Sequence, residues 1–291
     1  MPKINFAPRA YVQSILRDAR AVFVGIVRDR AALATLILIV LPWWALIFLR
    51  NNTDWLWPFS QAVIITFAYW WMSRSGPSPA PIIKRPRAET LLALGLIALW
   101  MIWRVGICAK TFPFLPAEFS CFKSWQFEIL PKVIEMVVLP ILVLFALGYG
   151  WRAQGIDWNW RAWWIALPIL LATAAYGMYL HWTKLPEFGS NTVEYFFAAG
   201  LPEEVLFRAF LLTRLEAWLR NPSWALFAAS VIFGLTHLPI NYLVFTDHNW
   251  NEAWITLLTF QMGVGAALAF AYQRTRNVLP LAVLHALFDA L

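Results

Sequence analysis

Long apolar runs set what this 291-residue chain can fold into. About nine occur, at roughly 32–49, 56–73, 89–107, 129–149, 162–180, 193–218, 223–238, 254–273 and 278–291. A helix that crosses a bilayer needs about 20 mostly apolar residues, and most of these runs reach that length. The sequence therefore predicts an all-α, polytopic transmembrane helical bundle of about eight to nine spans. The last run is short for a full crossing, so the chain is expected to end inside the bilayer or at its edge.

Composition agrees. Hydrophobic residues make up 61% of the chain and charged ones 13%, against about a quarter charged in soluble domains. A water-soluble fold is excluded. The net charge of +7 invites a nucleic-acid reading, but the Lys and Arg lie between the apolar runs and no basic-aromatic platform is present. No nucleic-acid partner is expected; the lipid bilayer is, with Trp and Tyr at the headgroups and basic residues on the cytoplasmic side.

Three parts are expected along the chain: a basic cytoplasmic segment (1–30), N-terminal membrane helices (31–144) and a C-terminal membrane domain (145–291). The first thirty residues lack the apolar core and small-residue cleavage site of a signal peptide. Residues 10–27 read either as an amphipathic surface helix or as a solvated basic tail. Repeated prolines make 75–87 (SGPSPAPIIKRPR) a linker. With the N-terminus inside, sixteen Lys and Arg fall on the cytoplasmic side, Arg214, Arg274 and Arg276 among them. Six fall on the other side, including Arg104 and Lys132. That bias predicts a multi-pass protein with its N-terminus in the cytoplasm; a bacterial inner membrane is the expected location. Cys108 and Cys121 share one non-cytoplasmic loop, as a small disulfide or as two thiols.

Ionisable residues inside spans are costly, at least ~3 kcal/mol for a charge at the bilayer centre, and three late runs carry them. AAGLPEEVLFRAFLL holds Glu203, Glu204 and Arg208; FGLTH ends at His237; VLPLAVLHALFDAL holds His285 and Asp289. Glu204 and Arg208, four apart, pair on one helix face. Glu203 is rotated by about 100° and points elsewhere. His285 and Asp289 share a face. Such a set, converging on a cavity, is enough to activate a water and stabilise an oxyanion. His181 and His248 read as solvated loop residues. Gln261 faces a neighbouring helix or the cavity, and GVGAA (263–267) is a close-packing surface.

The runs EEVLFR (203–208), FGLTH (233–237) and HALFD (285–289) resemble, in order, the EExxxR, FxxxH and HxxxN/D motifs of the CAAX-protease and bacteriocin-processing family of intramembrane endopeptidases, also called CPBP or Abi. The resemblance covers about 145–291. It implies a catalytic set of Glu203, His237, His285 and Asp289. Glu203 would be the general base, His237 would hold the water, and His285 with Asp289 would line the oxyanion site. Glu204 and Arg208 would support the catalytic helix. Asp289 stands where the prenyl-protein enzymes carry Asn; an ionised Asp cannot donate to an oxyanion, so it is either protonated or orients His285. The implied partner is a membrane-anchored or exported protein cleaved close to the membrane. No cofactor is expected, although Glu plus two His is also a zinc ligand set. Two other readings are a silent member that binds a peptide for immunity and a proton-relay transporter.

Overall fold

The computed structural model describes residues 71, 78–111, 125–151, 156 and 158–291. The basic segment 1–30, the run 32–49, all of 56–73 but Trp71, and Cys121 lie outside the described residues. Cys108 is disulfide-bonded.

The described residues form helices without a strand. α1 is Pro86–Cys108. α2 (125–146) runs through Trp125–Val133, a wider π-helical turn at Ile134–Val138, and Leu139–Ala146. α3 is Trp160–Leu180. α4 (185–219) is one long helix with π-helical stretches at Phe196–Gly200 and Glu204–Leu212. α5 is Pro222–Phe245, α6 is Trp250–Thr275 and α7 is Leu279–Asp289. Local sequence explains where they start. Asn159, Asn221 and Asn249 accept hydrogen bonds from the first-turn amides of α3, α5 and α6. Proline occupies the first turn of α1, α4, α5 and α7, where its missing N–H costs nothing.

α4 is the centre of the bundle. Every residue from 202 to 216 is buried, with α5 and α1 packed on its C-terminal end, and α2 and α7 on its middle. α6 lies inside, 67% of its apolar window being covered, whereas α1 at 28% is peripheral. Close helix contact needs glycine at several points, Gly200 and Gly265 among them. A Cβ on Gly200 of α4 would sit 2.3 Å from the Ala282 carbonyl oxygen of α7, and one on Gly265 of α6 would sit 2.8 Å from the Phe233 ring of α5.

Five helical stretches (α1, Ile129–Ala146 of α2, α3, α5 and α6) are long and apolar enough to cross a membrane. α3 is about 30 Å long at ~1.5 Å per residue, matching the hydrocarbon core. Its ends carry exposed aromatics, Trp160 and Trp164 at one, Tyr179 and Trp182 at the other. The protein is an integral membrane protein. The expected span at 193–218 lies within α4, which carries Glu203, Glu204, Arg208, Arg214 and Glu216; among the described residues there are five apolar crossings, with α7 a short apolar helix, and the expected runs 32–49 and 56–73 lie outside the described residues but for Trp71.

A buried polar cluster ties α1 to the rest at one end of the bundle. Glu89 accepts from the Tyr149 hydroxyl at 2.8 Å and lies 3.4 Å from Arg214 Nε. Arg276 Nη1 meets Glu216 at 2.7 Å. Arg214 is therefore an interior residue and not part of an exposed cytoplasmic segment, and Arg104 and Lys132, expected on the other side, are buried too. Exposed Lys84, Arg85, Arg87, Arg161 and Arg220 still gather at this end, against Lys110 and Lys184 at the opposite one.

Candidate active site

α4 carries two adjacent carboxylates into the interior, and the helix turn sends them to different partners. Glu204, fully buried, meets Arg208 Nη1 at 3.1 Å one turn along the same helix. Arg208 Nη2 donates to the Gly265 carbonyl at 3.3 Å, and its guanidinium lies 4.4 Å from the Phe233 ring centre. The small residues of 263–266, all buried, allow that approach. The close-packing surface expected there is present, and it also supplies an acceptor.

Glu203 turns toward α5, α7 and α2. Its Oε2 lies 3.8 Å from His237 Nε2 and 3.8 Å from His285 Nε2, with no direct hydrogen bond of its own. Each imidazole is held from behind. His237 Nδ1 is 2.8 Å from the Phe233 carbonyl oxygen one turn back. His285 Nδ1 is 2.9 Å from Glu204 Oε1. Carbonyl and carboxylate oxygens accept, so both Nδ1 atoms carry the proton and both rings turn Nε2 inward. A water in hydrogen-bond reach of Glu203 Oε2 and both Nε2 atoms would bridge these separations.

All six residues singled out in the sequence thus meet in one place. Asp289 Oδ2 lies 3.7 Å from His285 Nε2, on the inward side of the ring. The carboxylate that orients His285 is Glu204, on another helix, and not Asp289. His237 and Asp289 keep 24% and 23% of their side-chain surface exposed, against 6% for Glu203, so they are the outer members of the cluster.

Lys132 was not foreseen. Its Nζ lies 4.0 Å from Glu203 Oε1 with the side chain 11% exposed. The signal is in the sequence, because a Lys inside the apolar run 129–149 is as costly as a Glu. Other residues fall away from the site. Asn241 and Gln261 exchange two 3.3 Å amide hydrogen bonds between α5 and α6, so Gln261 faces a neighbouring helix. His181 is half-buried, its Nε2 3.2 Å from the Leu291 carbonyl, rather than solvated; His248 is exposed as expected. Among the described residues no group of three or more His, Cys, Asp and Glu is spaced to hold a metal ion.

At ~1.5 Å per residue the cluster lies about 20 Å from the Arg214–Arg276 end along α5, and nearer the opposite end. A family model described as type II CAAX prenyl endopeptidase Rce1-like matches residues 186–291. Neither the curated proteins nor the solved structures give a match. The matched region contains Glu203, Glu204, Arg208, His237, His285 and Asp289, and ends with the chain. Residues 186–291 are therefore similar to the type II CAAX prenyl endopeptidase Rce1-like family, and further membrane helices lie outside the match.

Proposed function

We propose that the protein is an intramembrane endopeptidase that hydrolyses a peptide bond near the C-terminus of a membrane-anchored or exported protein, using water activated by Glu203 and His237. The observation that carries this reading is the inward geometry of the site: one buried carboxylate oxygen 3.8 Å from two Nε2 atoms, each fixed by an acceptor behind it. Glu203 takes the proton of a bridging water as the oxygen attacks the scissile carbonyl, and His237 holds that water and passes protons on. The carbonyl oxygen, now negative, is met by Nε2 of His285, which donates when the ring carries its second proton. Glu203 returns its proton to the leaving amine. Every step uses the protein's own side chains and one water. Asp289, beside His285 Nε2, receives the oxyanion side of the substrate in its protonated form.

Along α5 the site lies nearer the end opposite the basic one. With the basic end in the cytoplasm, substrates enter from the non-cytoplasmic half of the bilayer. Peptide mass spectrometry on membranes holding wild type or Glu203→Gln tests the function. Wild type is expected to yield one or more shortened membrane proteins that the variant leaves intact. Identical peptide sets from the two membranes would contradict it.

A further inference from the structure

The matched domain does not enclose Glu203 by itself. Lys132 comes from α2, more than fifty residues before the match begins. It sits in the apolar stretch EILPKVIEMVV, where a cation is costly to insert unless a partner compensates it. α2 packs on α4 around Glu203, and the helix carries Pro131 before the Lys and a π-helical turn after it. Three residues on, Glu135 Oε2 lies 3.4 Å from Arg104 Nε of α1. Charges thus alternate in sign from Glu203 through Lys132 and Glu135 to Arg104, across three helices.

The two oxygens of Glu203 have separate neighbours. Lys132 lies on the Oε1 side, and both imidazoles lie on the Oε2 side. We infer that Lys132 is a positioning residue for Glu203, pinning Oε1 so that Oε2 faces the two imidazoles and making α2 part of the site. This rests on the reading of Glu203 as general base. Among the described residues, the other charged or titratable groups around Glu203 are Glu204 and Arg208 on α4, His237 on α5, and His285 and Asp289 on α7. Of the cations among them, Arg208 is bound to Glu204, which leaves Lys132 as the permanent charge directed at the Glu203 carboxylate.

The test compares full-length wild type, Lys132→Met, Lys132→Arg and Glu203→Gln in lipid vesicles, with a peptide cleaved by wild type, across pH. Lys132→Met is expected to lower kcat by about tenfold to 100-fold, the scale of a misplaced reacting group, with KM little changed. It is also expected to move the acidic limb of the rate profile to higher pH. Lys132→Arg should restore the limb and most of the rate. An unshifted limb in Lys132→Met, or equal loss in both Lys132 variants, would overturn the inference. If Lys132→Met does not fold, Lys132→Gln gives the same comparison. The Glu203→Gln arm separates the two ideas. Wild-type cleavage by that variant overturns the general-base reading and the inference together. A dead Glu203→Gln beside an unchanged Lys132→Met overturns the role of Lys132 alone.

Discussion

His285 Nδ1 lies 2.9 Å from Glu204 Oε1, the same oxygen that meets Arg208 Nη1 at 3.1 Å. One carboxylate orients an imidazole on α7 and neutralises a guanidinium on its own helix. The second Glu of the EEVLFR run therefore joins two motifs that are eighty-one residues apart in sequence. Helix support and imidazole orientation are a single interaction here.

Breaking the Glu204–Arg208 pair from one side strands a buried charge. Glu204→Leu and Arg208→Leu should each lower stability by about 3–5 kcal/mol, and the double variant should recover most of that loss. Unfolding in mixed micelles measures it. Activity should stay lost in the double variant, because His285 has no orienting acceptor.

Gly200 sets the distance between α4 and α7. A Cβ there would lie 2.3 Å from the Ala282 carbonyl oxygen, a backbone atom that cannot swing aside. Gly200→Val should push the helices apart and lower kcat by about 100-fold while every reactive side chain is intact. Kinetics checks this, together with a cross-link between cysteines placed on α4 and α7, which should form less readily in the variant.

Asp289 is close to His285 Nε2 but does not hold the ring. Asp289→Asn should keep activity within about tenfold, since an amide donates as a protonated acid does. Asp289→Leu should lose the group altogether and fall further, by about 100-fold, the effect of one oxyanion donor. Steady-state rates of the two variants decide it; equal losses would deny Asp289 any polar role.

The proposed chemistry runs through Glu203, His237 and water. Cleavage should survive exhaustive treatment with a metal chelator. Complete loss that added zinc restores would replace this mechanism with a metal-dependent one using the Glu and two His.

Much of this site was legible because ionisable residues in apolar runs are rare. Glu203, Glu204, Arg208, His237, His285 and Asp289 all stood out on those grounds, and helix spacing gave the Glu204–Arg208 pair directly. Periodicity within one helix cannot say which helices touch. That is why Glu204 as the partner of His285, and Lys132 as a neighbour of Glu203, emerged only from the packing. The same limit affected the charge tally. Arg214 looked like a basic residue near a span end, but Glu89, 125 residues earlier, holds it in the interior. The small residues around Gly265 mark it as a packing position, while its carbonyl as an acceptor for Arg208 depends on how α6 lies against α4.

Activation of the water by Glu203 is the step on which the proposed chemistry depends. Purified wild type and Glu203→Gln, both shown to be folded and lipid-reconstituted, should be compared on one peptide under single-turnover conditions. The variant is expected to bind the peptide with similar affinity and to cleave it at least about 100-fold more slowly, the scale of a general base. Cleavage by Glu203→Gln within a few-fold of wild type would contradict it.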